Sequence, residues 1–231
     1  VAAGRVYVAE KERHAVAALD ADNGRLLWRF AAGGRIDTPP TVARGRVVFG
    51  SADGRVYCLD ATDGALAWRF RAAPSELRMV VDEQIESVWP VQGGVLVQAG
   101  EVVATAGRTS YLDGGLHAYR LDLQSGRVLQ HRQISHERLT DRNVQADEGA
   151  MYNDYYTEGT LADVPLARNG SVFLKTISLF GDGRRDGPLL TAQSGFLDNS
   201  LFERSFWFMV RPKRTPIGAQ LMVHDNETVF G

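Results

Sequence analysis

Four carboxylates crowd one stretch of this chain: Asp147 and Glu148, then Asp154 and Glu158. Glycoside hydrolysis needs such a pair, one group as acid and the other as base or nucleophile, at a separation set by the stereochemistry. A charge run in a loop is ordinarily a solvated face, however, so no catalytic residue is assigned here. The histidines give no metal set: His131 and His136 lie close in a segment without helical periodicity, while His14, His117 and His224 are scattered along the chain. Structural zinc sites use closer, mixed Cys, His and carboxylate spacing. The single cysteine, Cys58, excludes an internal disulfide and reads as a small buried hydrophobe. Gly181-Asp182-Gly183 lacks the strand-to-helix setting of a phosphate-cradling loop. What remains is a group of aromatic and polar residues outside any regular pattern: Trp89, Arg108, Tyr111, Asp113, Tyr155 and Tyr156, with Arg78, Glu86, Asn153 and Asp154 beside them. Aromatics mixed with Arg, Asp and Asn suit a sugar, a quinone or a peptide equally well.

The elements that position these residues are legible from a repeat. Ala18-Leu19-Asp20-Ala21-Asp22-Asn23-Gly24-Arg25-Leu26-Leu27-Trp28 returns as Cys58-Leu59-Asp60-Ala61-Thr62-Asp63-Gly64-Ala65-Leu66-Ala67-Trp68, and both copies continue Arg-Phe. A third copy from Arg120 keeps Asp122 and Gly126 but has Gln130 where the tryptophan stood. A period of about 40 residues with strand-like apolar runs predicts a β-propeller built of four-stranded antiparallel blades. Within one period, Thr41-Val42-Ala43 after Pro39-Pro40 begins an inner strand. Arg46-Val47-Val48-Phe49 and Val56-Tyr57-Cys58-Leu59 flank an Asp53-Gly54 hairpin, and Ala65–Phe70 is the outer strand. Asp20, Asp60 and Asp122 bond the backbone of their own turns, Gly24, Gly64 and Gly126 supply left-handed positions, and Trp28 and Trp68 wedge between neighbouring blades. The motif is therefore structural.

On these copies the chain resembles the PQQ-type propellers, which include quinoprotein alcohol dehydrogenases and the propeller lipoprotein of the outer-membrane β-barrel assembly machine. Ser87-Val88-Trp89-Pro90-Val91, Ala106–Gly115 and Gly195–Ser200 resemble segments of large bacterial PQQ-like repeat proteins whose function is poorly defined. The resemblance implies export to the periplasm or cell surface. For the dehydrogenases it implies PQQ held with Ca²⁺, an aspartate base and a pair of adjacent cysteines. This chain has no such cysteine pair, so no cofactor is expected.

Blades are expected over about residues 1–32, 38–72, 87–132 and 163–211, with a partial one over 218–231, in a single domain. A ring of seven or eight blades needs roughly 300 residues or more, so the 231 residues are expected to form an incomplete arc whose remaining blades lie in the same polypeptide. Four insertions depart from the repeat: 72–86, 108–115, about 133–162, and 181–187. In an up-and-down blade the connection between second and third strands shares a face with the link to the next blade. All four thus fall on one face, where insertions on a repeat array commonly mark a binding surface. A net charge of -2 with interspersed signs gives no support for nucleic-acid binding, and no apolar run reaches membrane-spanning length. The expected function is a non-catalytic binding or scaffolding propeller of the bacterial cell envelope, recognising a protein or glycan partner on the insertion-bearing face. A PQQ-dependent dehydrogenase and a carbohydrate-binding propeller are the alternatives.

Overall fold

The computed structural model describes residues 1–135, 160–175, 177–181, 189–192, 207–211, 214–219, 223–224 and 229–230. Apart from one 3₁₀ turn at Lys11–Arg13, every regular element among them is a β-strand. Blade one is β1 (Arg5–Glu10), β2 (Ala15–Asp20) and β3 (Leu26–Ala31). Blade two is β4 (Thr41–Ala43), β5 (Arg46–Ser51), β6 (Arg55–Asp60) and β7 (Leu66–Arg71). A two-stranded hairpin of β8 (Arg78–Val81) and β9 (Gln84–Ser87) follows. Blade three is then β10 (Leu96–Gln98), β11 (Glu101–Ala106), β12 (Leu116–Asp122) and β13 (Val128–Ile134). In each sheet the strand order is the chain order and every pairing is antiparallel, which is the up-and-down blade of a propeller.

The repeat motif fixes one edge of each blade. Asp20 Oδ1 accepts the backbone N–H groups of Asp22 and Asn23, Asp60 Oδ1 that of Thr62, and Asp122 Oδ1 that of Ser125. Gly24, Gly64 and Gly126 donate back to the carbonyls of Asp20, Asp60 and Asp122. The same turns bond the chain on their own edge: Ala21 N–H to Gly4 O just ahead of β1, and, in the turns between the first two strands of blades two and three, Ala61 N–H to Gly45 O and Leu123 N–H to Gly100 O. Both turns of a blade therefore lie on one edge of the disc. Just beyond each motif turn the ladder slips, at Ala18/Leu19, Cys58/Leu59 and Arg120/Leu121. A bulge at this point re-aims the next side chain of the outer strand. In blades one and two that side chain is the tryptophan, which stands opposite the small Ala18 or Cys58.

Both tryptophans cross to the next blade. Trp28 Nε1 donates to Ala61 O and Trp68 Nε1 to Leu123 O, and both rings are buried. A Cβ on Gly64 would sit 2.6 Å from the Trp28 ring, and one on Gly126 2.7 Å from the Trp68 ring. These glycines are needed twice, for a positive φ and for room against the indole. The phenylalanine two residues on adds an edge-to-face contact across the same seam: Phe30 on Tyr57 and Phe70 on Tyr119. The cores accordingly lie between blades. One joins Val16, Ala18 and Trp28 to Val47, Phe49, Tyr57 and Leu59, and the next joins Val48, Val56, Cys58 and Trp68 to Val102, Ala104, Leu121 and Leu123. Burial pushes the Cys58 thiol up to about 12, leaving it an inert packing group.

Beyond blade three, β14 (Leu166–Arg168), β15 (Ser171–Leu174) and β16 (Ile177–Phe180) form one sheet, packed on blade three through Leu174, Leu179 and Phe180. β17 (Leu189–Ala192), β18 (Trp207–Arg211) and β19 (Arg214–Ala219) form another, and β20 (Val223–His224) pairs with β21 (Val229–Phe230). The strands expected of one blade over 163–211 therefore divide between two sheets. Lys175, at a φ of 52°, turns the chain back directly after β15, so Ile177–Phe180 takes the third-strand place expected of Leu189–Thr191.

Candidate interaction face

The opposite edge of the disc carries the insertions at 72–86 and 108–115 and the described end of the long one, Thr160–Ala162. Ala72 and Ala73 donate backbone N–H groups to Gly54 O, Ser87 to Ala52 O, Val91 to Ser51 O and Gly107 to Pro90 O. The links between blades thus pack on the turns between second and third strands. The turn of blade three is itself pinned by the chain leaving the long insert, through Ser110 N–H to Thr160 O and Ala162 N–H to Arg108 O.

On this edge stands the β8–β9 hairpin. Its tip, Asp82-Glu83, has φ values of 47° and 64° at both central residues, the two-residue turn whose twist suits a hairpin. Met79 pairs with Glu86 and Val80 with Ile85. Because successive side chains alternate, Glu86 and Gln84 share one side of the hairpin and Arg78, Val80 and Ile85 the other. The inner side is fastened down. Gln84 Oε1 lies 3.1 Å from His14 Nε2 on blade one. Glu86, fully buried, has Oε1 at 2.5 Å from Arg35 Nη1 and accepts Arg108 Nη2 at 2.7 Å through Oε2. Arg35 also donates to Asp37 Oδ1 at 2.7 Å, and Lys11 stands 3.6 Å from the same oxygen. Burial works against the Arg35 charge, but the hydrogen bond it donates to Asp37 and the charges of Asp37, Glu86 and Asp82 outweigh it and hold the guanidinium above its ordinary value. Asp37 Oδ2 and Arg108 Nε are buried without a hydrogen-bond partner. A cleft of about 260 Å³ runs beside Asp37, between Tyr7, Val8 and Lys11 of blade one and Ile36 and Thr38.

The outer side is open: Val80 is 71% exposed and Ile85 63%, beside the exposed Arg78. Leu77, 61% exposed, and Met79 are exposed along the same strand on the alternate side. Scattered exposed aliphatics are normal on a folded protein, but Val80 and Ile85 are directly paired on the outer side and make a small apolar patch. In the two-stranded sheet neither β8 nor β9 has a second strand neighbour among the described residues, which leaves open edges of the kind that accept another strand.

The residues singled out from the sequence divide. Arg108 points inward to Glu86 and Gln92, not outward to a ligand. Trp89 is partly buried against the core of blades two and three and donates Nε1 to Asp113 O, so it and Asp113 brace the loop. Tyr111, with Leu112, is exposed on the same loop. Tyr155 and Tyr156, and the carboxylates Asp147, Glu148, Asp154 and Glu158, lie outside the described residues. Among the described residues no three His, Cys, Asp or Glu side chains converge on one point, and the two carboxylates of the hairpin network are engaged by Arg35. That donor set does not fit a PQQ–calcium site. The structure also brings together a pair that the sequence set apart: His117 Nδ1 lies 3.2 Å from His131 Nε2 across β12 and β13. Burial and the His131 charge lower the His117 pKa.

Residues 1–153 match the family model described as outer membrane protein assembly factor BamB. No curated protein matches the chain. Among solved structures, BamB from Moraxella catarrhalis is similar over 99% of this chain and 66% of its own, at 14% identity and a TM-score of 0.56. Quinohemoprotein alcohol dehydrogenase ADHIIG from Pseudomonas putida HK5 is similar over 56% of this chain and 19% of its own, at 23% identity and a TM-score of 0.48. The enzyme of the same kind from Comamonas testosteroni gives 56% and 19%, at 20% identity and a TM-score of 0.46. The chain thus spans about a fifth of the dehydrogenases and just under two thirds of the BamB structure.

Proposed function

Because this chain belongs to the PQQ-repeat propeller family of outer membrane protein assembly factor BamB, we propose that it is a non-catalytic scaffold of the bacterial envelope that binds a protein partner of outer-membrane assembly. The observation that carries this reading is the β8–β9 hairpin: the paired, exposed Val80 and Ile85 on its outer side, held out on a rigid platform. Two features make the platform rigid. The tryptophan staples close the seams between blades, and the Arg35–Glu86–Arg108 network fixes the hairpin root. Pre-organising the recognition element lowers the ordering entropy that association must overcome. An apolar hairpin with open edges suits an extended segment of a partner protein, with backbone pairing for affinity and the aliphatic side chains for selectivity.

A photo-reactive residue at Val80, with a second protein labelled at Leu66 on the opposite edge as control, tests the proposal in the native envelope. The expected outcome is one discrete crosslinked protein of the outer-membrane assembly machinery from position 80 and none from position 66. No crosslink from 80, or the same products from both positions, contradicts it. The dehydrogenase alternative has its own test, titration of the chain with PQQ and Ca²⁺ followed by tryptophan quenching. Saturable, calcium-dependent quenching would replace the scaffold reading.

A further inference from the structure

We infer that His117 and His131 form a chelating site for a divalent transition-metal ion on the outer strands of blade three. The two side chains come from neighbouring antiparallel strands. Tyr119 stands directly opposite His131 and His117 opposite Gln133, so the histidines are diagonal neighbours on one face of the sheet. Their rings are parallel to within 2° with centroids 5.4 Å apart, and His131 stacks on Tyr119 at 4.4 Å. His117 is buried and held by β12, whereas His131 is exposed on β13.

The decisive quantity is the 3.2 Å between His117 Nδ1 and His131 Nε2. An ion bound by imidazole at about 2.0–2.1 Å places two tetrahedral nitrogens about 3.3 Å apart, and two adjacent square-planar nitrogens about 2.9 Å apart. The observed separation lies between these values, so an ion seated off the line joining the nitrogens engages both with little movement. With both rings neutral, one of these nitrogens donates its N–H to the other; binding the ion moves that proton to the donor ring's other nitrogen, which leaves both facing nitrogens free as ligands.

Blade two shows what this position holds when it is purely structural. The same register places Tyr57 opposite Arg69, with Arg55 in the place of His117. Arg55 pairs with Glu76 and Asp53. Blade three keeps the tyrosine and exchanges both arginines for imidazoles, the side chains that bind zinc, copper and nickel. No third His, Cys, Asp or Glu joins the set among the described residues, so the two imidazoles are the ligands on which the site rests. It links β12 to β13 beside the blade-two seam, where Phe70 packs on Tyr119.

Calorimetric titration of the chain with zinc chloride and with copper(II) chloride, in a non-coordinating buffer at neutral pH, reads this directly. The expected result is one equivalent bound, with affinity at least about tenfold weaker in His131→Gln because a chelate is reduced to a single ligand. His131 is exposed, so this variant tests the site without disturbing the core, and circular dichroism checks its fold. A triple variant, His14→Gln, His136→Gln and His224→Gln, retains the pair and is expected to bind as the parent does. Equal binding by parent and His131→Gln, or loss of binding in the triple variant, overturns the assignment.

Discussion

Blades two and three agree on one edge of the disc and differ on the other. At the motif edge Asp60–Gly64 and Asp122–Gly126 make the same turn, bond the same neighbouring turn, and follow it with the same slip in the ladder. At the opposite edge blade two closes with Ala52-Asp53-Gly54, whereas blade three runs from Gly107 to Gly115 and leans on the chain after the long insert. The agreement has a mechanical cause. Gly126 must receive the Trp68 ring, so the turn of one blade is constrained by the side chain of the blade before it. Gln130, where the third copy has lost its tryptophan, is exposed, and no residue downstream carries the Asp-x-x-x-Gly turn to receive a ring. The loops of the other edge meet no such ring: Gly54 packs there against Ala73 and Ser87, and Gly115 against the backbone of Ile134.

The strongest way to break this comparison is to remove a staple. Trp68→Ala is expected to destabilise the protein by about 3–5 kcal/mol in chemical denaturation, and a loss under about 1 kcal/mol would mean the indole does not hold the seam. Glu86→Ala acts on the other edge. It strands Arg108 and leaves Arg35 with Asp37 alone, and breaking a buried pair in this way costs about 3–5 kcal/mol; the lower end is expected because Arg108 is partly solvated and Arg35 keeps a partner. The glycines sharpen the contrast. Gly64→Ala meets both a left-handed backbone, about 1–2 kcal/mol, and overpacking against Trp28, about 1–3 kcal/mol. Gly24→Ala meets the backbone term alone, since nothing lies within 4 Å of its Cβ direction. Equal losses in the two alanine variants would remove the close approach from the account.

The smallest expected effect is a pH slope. His117 has its folded pKa lowered, first by burial and then by His131, so the unfolded chain takes up the proton more readily. Stability is complete above the ordinary histidine range and declines as the pH falls from about 6.5 toward the lowered folded value. Denaturation curves between pH 5 and pH 8 should show this decline in the parent and a reduced one in His117→Gln.

What was legible in the sequence follows from what is local. Asp20, Gly24 and Trp28 fall within nine residues, and turn chemistry plus a fixed period gives both the blade and its staple. The hairpin network is not local: Arg35, Glu86 and Arg108 come from three separate connections outside the repeat, and only the folded edge brings them together. Arg108 was expected to face a ligand for the same reason, since a loop arginine gives no sign of the buried carboxylate it will meet. His117 and His131 were read as unrelated because their proximity depends on strand register across a turn. The third strand after β15 was missed because the reversal at Lys175 uses a residue with no turn signature.

The most direct test of the scaffold account is the double variant Val80→Glu, Ile85→Glu, with stability and partner capture measured on the same preparation. Both side chains are exposed, so the account predicts an unchanged denaturation midpoint, within about 0.5 kcal/mol, together with loss of the partner. A lowered midpoint with the partner still bound would contradict it, making the hairpin a packing element and moving recognition elsewhere on the molecule.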